Sequence, residues 1–123
     1  MNPETIVNLE LHPIQDSSYI QKSKDHLDSK GALVMEDFLN SKTITSLQTE
    51  AKEVRHLAYF CHQNHNAYLL DPDPDFTQEH IRNLEQVSDK GCITHDQVPE
   101  NSLLRTLYEW PDFRKFLKQV LGE

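Results

Sequence analysis

Gly31-Ala32-Leu33-Val34-Met35-Glu36-Asp37-Phe38-Leu39-Asn40 is the stretch on which the reading of the fold turns. A short apolar run bounded by Gly31 and Asn40 has the pattern of a buried strand, so a strand is expected over 32–39. Asn40 or Ser41 then caps a helix over roughly 42–58. Its Ile44, Leu47, Ala51, Val54 and Ala58 recur at three-and-four spacing along one helical face. A strand running straight into an amphipathic helix places the chain in the α+β class.

Upstream, residues 18–29 read as a first helix carrying Tyr19, Ile20 and Leu27, with Ser17 or Ser18 as its cap. Gly31 suits the left-handed turn after it. Residues 1–17 alternate weakly through Ile6-Val7-Asn8-Leu9-Glu10-Leu11 before Pro13, as an edge strand or an extended arm would. Downstream, Ala67-Tyr68-Leu69-Leu70 reads as a strand. Asp71-Pro72-Asp73-Pro74-Asp75 is a loop, because two prolines break helix and ladder alike. Thr77 is placed to cap a short helix carrying His80, Ile81, Leu84 and Val87. Gly91-Cys92-Ile93-Thr94 reads as a further strand. Pro99-Glu100-Asn101-Ser102 opens two C-terminal helices, one faced by Leu103, Leu104, Leu107 and Tyr108. The other, after Pro111, is faced by Phe113, Phe116, Leu117, Val120 and Leu121. The expected organisation is an arm over 1–17 and one α+β domain over 18–123.

The chain has 123 residues, enough for one core, and 37% of them are apolar. Lys and Arg number 12 against 20 Asp and Glu, a formal net charge of -8. Phosphate backbones and anionic membranes repel such a surface, so neither nucleic acid nor membrane is an expected partner. No apolar run approaches the roughly 18 residues that span a bilayer. Met1-Asn2-Pro3-Glu4-Thr5 lacks the basic and apolar regions of a signal peptide, so a cytoplasmic setting is expected. There Cys61 and Cys92 are reduced thiols, read more simply as small buried apolar side chains than as a redox pair.

Few residues suggest chemistry on their own. His62 and His65, with Cys61 adjacent, have metal-ligand spacing on a helix, but further ligands are missing, and polar surface histidines are the simpler reading. Asp71, Asp73 and Asp75 resemble the start of a calcium loop without its glycine or its terminal glutamate, which favours a solvated turn. His95 and Asp96 are adjacent, and on a strand they would point to opposite faces. With three glycines in all, no phosphate-cradling loop is available. Arg82 follows the acidic loop. It reads either as a bidentate grip on a carboxylate or as a surface ion pair with Glu79 or Glu85. Trp110, Tyr108 and Phe113 form an aromatic cluster expected to pack in the core or at an interface.

The segment from Gly91 through Asp96, Gln97, Val98, Pro99, Ser102, Leu104, Arg105, Thr106, Leu107, Tyr108 and Trp110 to Pro111 resembles a stretch of iron(II)/2-oxoglutarate-dependent oxygenases, a family of amino-acid hydroxylases and radical halogenases. Asn66-Ala67-Tyr68-Leu69 before the Asp-Pro loop is similar to the same family, as are Phe113–Gly122 and the Gly31–Leu39 stretch with its helix. The resemblance covers the chain from about Gly31 onward, and its most specific part is Asp96–Pro111. It implies an α+β fold of helices with a few short strands, like the N-terminal support layer of a double-stranded β-helix oxygenase. In the family the barrel follows the stretch corresponding to Leu117–Gly122. It carries the HxD or HxG…H iron ligands and the arginine that holds 2-oxoglutarate. No residue of this sequence matches that triad. The resemblance therefore implies Fe(II) and 2-oxoglutarate for a full-length relative, with no cofactor held by this chain alone and no catalytic or metal residue to carry over. It implies that Arg82, Tyr68 and Asp96 lie near a substrate. The expected role is a substrate lid and support region, not catalytically self-sufficient. The alternative is a non-catalytic interaction or dimerisation domain derived from that family. In either case the stripe Phe113, Phe116, Leu117, Val120 and Leu121 is expected to meet a second copy or a separate barrel chain.

Overall fold

Asp16 starts the first helix, one residue ahead of the serines expected to cap it. Its carboxylate accepts the backbone N–H of Tyr19 at 2.8 Å, satisfying a donor that every helix start leaves open. In the computed structural model, which describes residues 2–123, helix α1 spans Ser17–Lys30 and stops at Gly31. Gly31 has φ 74°, the left-handed conformation that glycine adopts without penalty. Asn40 caps α2, Ser41–Val54, by accepting the N–H of Thr43 at 2.9 Å. The helix predicted to reach residue 58 tightens at Arg55–Leu57 into a 3₁₀ turn. Strands β1, Tyr59–His65, and β2, Gln86–Cys92, pair antiparallel, with Tyr59 opposite Cys92, His62 opposite Asp89 and His65 opposite Gln86. Helix α3, Leu103–Glu109, and helix α4, Pro111–Leu121, follow as expected, with Pro111 at the first helical position. Helices with a two-stranded sheet make the chain α+β. Among the described residues no helix is long and apolar enough to cross a membrane.

The chain divides into two compact units. The larger comprises the residues up to Glu53 together with Val98–Glu123, and the smaller is Val54–Gln97. The larger unit holds the apolar core of Ile6, Val7, Ile14, Leu107, Trp110, Phe116 and Val120. The segment expected to be an arm or edge strand thus contributes Ile6, Val7 and Ile14 to that core. Pro3–Thr5 is a 3₁₀ turn, and strand pairing reduces to one bridge between Val7 and Leu39. Around that bridge the Asn8 N–H donates to the Phe38 carbonyl at 2.8 Å and the Asn40 N–H to the Ile6 carbonyl at 3.1 Å. The buried Thr43 hydroxyl donates to the same Ile6 carbonyl at 3.0 Å, fixing the segment on α2. Tyr19 stacks on Phe116 with ring centroids 6.0 Å apart, and Phe38 stacks on Phe113 at 5.5 Å. Partial burial pushes the Tyr19 phenol above its usual range, a hydrogen bond from Ser23 opposing the shift. The Tyr19 hydroxyl donates to His12 Nδ1 at 2.7 Å, while His12 Nε2 donates to the Glu36 carbonyl at 2.6 Å.

The run 32–39 is not a strand. Asp37 sits in the left-handed region at φ 55°, and the Phe38 N–H turns back to the Met35 carbonyl. Asn8 donates its side-chain amide to the Asp37 carbonyl and stabilises that turn. Burial alternates only as far as Glu36 and breaks at Asp37, after which Phe38 and Leu39 both turn inward. Leu33, Met35, Phe38 and Leu39 pack on the core, whereas Val34 is 83% exposed. The apolar run is real, but its side chains reach the core from a turn. The C-terminal stripe also differs from expectation. Phe116 and Val120 are buried in the chain's own core and Phe113 is half-buried, leaving Leu117 and Leu121 toward solvent.

This packing separates two residues of one stripe. Phe116→Ala is expected to destabilise the larger unit by about 3–5 kcal/mol. Leu121→Ala, at a position 61% exposed, is expected to stay within about 0.5 kcal/mol. Denaturant unfolding of both variants measures the difference.

Candidate functional site

Two buried asparagines organise the smaller unit. Asn66 is 2% exposed and Asn83 5% exposed. Asn66 donates to the Leu70 carbonyl at 2.7 Å, and its Oδ1 accepts the N–H groups of Tyr68 at 3.0 Å and Leu70 at 3.4 Å. The stretch 67–70, expected as a strand, is therefore a latched turn, with Leu69 left-handed at φ 56°. Asn83 Oδ1 accepts the Asp73 N–H at 2.6 Å. Its amide nitrogen faces the carbonyls of Asp73 at 2.8 Å, Phe76 at 3.1 Å and Thr77 at 3.2 Å. One side chain thus gathers the Asp-Pro loop and the residues after it. The helix expected from Thr77 to Val87 is replaced by these turns, and Val87 already belongs to β2. Asparagine competes well with helix for backbone groups, and here it wins.

The two latched turns bring Tyr68 and Arg82 together. The Arg82 guanidinium carbon lies 4.4 Å from the centre of the Tyr68 ring, a cation–π contact. Arg82 is half-buried, and its Nη1 is shielded from solvent without a hydrogen-bond partner. No ion pair of Arg82 with Glu79 or Glu85 is made among the described residues. A buried donor left unsatisfied costs about 1–3 kcal/mol, which marks the position as one needing a reason. His80 lies beside it. Its ring stacks on Phe76 at 4.3 Å, and its Nδ1 accepts the backbone N–H of Arg82 at 3.1 Å.

Asp96, the third residue placed near a substrate by resemblance, sits apart from this pair in the 3₁₀ turn His95–Gln97. A hydrogen bond from the Thr94 side chain, aided by the turn's backbone, holds its exposed carboxyl below the usual range. No hydrogen bond or ion pair joins Asp96 to Arg82 or Tyr68. The structure thus brings together two of the three candidates.

The metal and acid–base readings fare differently. His62 points across the ladder to Asp89, while Cys61 and His65 lie on the opposite face of β1, so the three do not converge. Asp73 accepts the Asp75 N–H at 2.9 Å within its own turn. Among the described residues no group of three or more His, Cys, Asp or Glu side chains is placed to hold a metal ion. A two-histidine, one-carboxylate iron site therefore does not fit the residues present. Both cysteines are free thiols, Cys61 half-buried and Cys92 exposed. β1 itself, Tyr-Phe-Cys-His-Gln-Asn-His, escaped sequence reading because its alternation is too weak to mark a face. Phe60 lies across from Gly91, where an added Cβ would meet its ring at 2.9 Å. Sequence reading also passed over Asn66, His80 and Asn83. The available signal was an asparagine on either side of an Asp-Pro turn.

Asn83→Ala is expected to open the 73–83 turns locally by about 1–3 kcal/mol, read as faster hydrogen exchange at the Asp73 amide with the core amides of the larger unit unchanged. Thr94→Val is expected to return the Asp96 carboxyl toward its ordinary value, followed by carbon-detected NMR titration. Because the folded-state value is the lower one, Asp96 favours the fold above the ordinary carboxylate range. That contribution fades as pH falls through the folded-state value, and the variant loses it. Compared with protein-family models, curated proteins and solved structures, the chain matches none.

Proposed function

We propose that this chain is the support and substrate-lid region of an iron(II)/2-oxoglutarate-dependent oxygenase, with Arg82 over Tyr68 receiving a substrate carboxylate. The observation that carries the reading is the Arg82 guanidinium, which lies over the Tyr68 ring, half-buried and without an anion. The Tyr68 ring lies against the guanidinium, and Nη1 is closed off from solvent by the surrounding chain, so a carboxylate has to displace part of that cover to reach it. Once reached, the guanidinium offers N–H donors at the spacing of a carboxylate's two oxygens. A ligand carboxylate would satisfy Nη1 and balance the charge in one step. Placement on two latched turns rather than a free loop holds the fork ready for it. Asp96, kept ionised by Thr94, is the second substrate-facing candidate. The likeness of Gly91–Pro111 to the oxygenase family supplies the reaction class. In this reading the iron and the 2-oxoglutarate are held by a barrel outside these 123 residues.

A second reading, a non-catalytic interaction domain derived from the same family, is favoured by the surfaces left open. The hairpin exposes Tyr59, Val87 and Phe60, the last at 73%. A two-stranded sheet in water is marginal without something against it. In the larger unit an open groove of about 1190 Å³ is lined by apolar Val7, Leu9 and Ile44 together with polar Asn8, Glu10 and Thr45, among others. Both readings give these surfaces a partner and differ in what the partner does.

Reading the native coding DNA past codon 123 separates them. The oxygenase reading expects a stretch, in frame or one frameshift away, that encodes HxD or HxG followed by a distal histidine and arginine. A stop followed by unrelated sequence removes that reading and leaves the interaction domain.

A further inference from the structure

We infer that His80 is the positioning residue for Arg82, acting as a fixed hydrogen-bond acceptor that aims the guanidinium for its carboxylate. The inference rests on the proposed anion-holding role of Arg82 but adds a residue and a device to it.

The geometry is specific. His80 Nδ1 accepts the N–H of the residue two positions on, at 3.1 Å. That is the bond an Asx-turn makes with the side-chain oxygen of asparagine or aspartate, here supplied by an imidazole. An accepting Nδ1 requires the ring proton on Nε2, so the tautomer follows from the bond. The ring cannot swing away cheaply, because it stacks on Phe76 at 4.3 Å with planes 23° apart. The Phe76 carbonyl is in turn held by Asn83, and the His80 carbonyl accepts the N–H groups of Asn83 at 2.8 Å and Leu84 at 2.9 Å. The chain from Asn83 through Phe76 and His80 thus ends at the Arg82 backbone.

Direction matters because Arg82 has nothing else to aim it. Its side chain has the Tyr68 ring on one side, and its shielded Nη1 has no hydrogen-bond partner. A ring contact fixes the distance of a guanidinium but leaves it free to slide and turn in its plane. The backbone anchor at His80 fixes the point from which the Arg82 side chain departs before the ligand arrives, which lowers the ordering cost of binding. Ile81 between them is 79% exposed.

Two substitutions separate the hydrogen bond from the stack. His80→Phe keeps a ring against Phe76 and removes the acceptor. His80→Asn removes the ring and keeps an acceptor at the same position along the side chain. The full chain, labelled with ¹⁵N, is examined by relaxation at the Arg82 Nε–Hε group and by titration with acetate. The expected result is an ordered Arg82 Nε and an acetate response in the wild type and in His80→Asn. In His80→Phe the Nε is expected to become mobile and the acetate affinity to fall by about tenfold, the scale of one charge-assisted hydrogen bond. An ordered Arg82 with undiminished acetate binding in His80→Phe overturns the proposal. So does a mobile Arg82 in a folded His80→Asn, which would assign the effect to the stack. If the wild type ignores acetate while His80→Phe still frees the Arg82 side chain, the carboxylate reading falls and the positioning role stands.

Discussion

The larger unit depends on Phe116, 1% exposed, being closed over by residues from the far end of the sequence. Ile6, Val7 and Ile14 join Leu107, Trp110, Phe116 and Val120 in a core of seven buried apolar side chains among the described residues. With so few, three from one short segment are not a supplement. At roughly 1.5–3 kcal/mol per fully buried aliphatic or aromatic side chain, that segment contributes on the scale of a whole domain's net stability. The polar bonds around it have a different task. Thr43 and Asn40 to the arm, and Ser102 to Glu50 at 2.7 Å between α3 and α2, set where the apolar parts meet.

The smaller unit is built on another principle. Among its described residues no apolar side chain is buried, and the two buried ones are asparagines. Its order comes from amide groups satisfying backbone groups, each bond modest in net terms but expensive to lose once shielded from water. A unit of that kind holds short turns in one conformation without needing bulk beneath them. This allows Arg82 and Tyr68 to face each other near the surface with a nitrogen left unsatisfied, a strain that a packed core would tolerate less well.

What the sequence made legible follows the same division. Helices α1, α2, α3 and α4 were readable because their apolar spacing and end signals act within a few residues of each other. The turn at 32–39 was not, because a run of apolar residues says that side chains are buried and nothing about the backbone that carries them. The Asn8 amide that stabilises the turn lies far away in sequence. In the smaller unit, Arg82 and Tyr68 were marked as site residues, and the structure sets them in contact. Their support was illegible for a physical reason. Asparagine is common in any loop, and only the fold tells a latch from a solvated side chain. The buried members of the C-terminal stripe show the converse error, since an amphipathic helix announces that it covers something but not what.

The larger unit is interrupted in sequence by the smaller one. During synthesis the first 53 residues leave the ribosome with Ile6, Val7 and Ile14 in place. Phe116 and Val120 are still unmade, and the whole of Val54–Gln97 must emerge before them. For that interval the nascent chain carries an uncovered apolar segment and two helices with no closing layer. Transiently exposed apolar surface of this sort makes a chain aggregation-prone and in need of chaperones. A ribosome stalled within the last helix would therefore release not a slightly shortened protein but a chain whose first residues keep their bonds to α2 and lack Phe116 and Val120, the side chains that close the core.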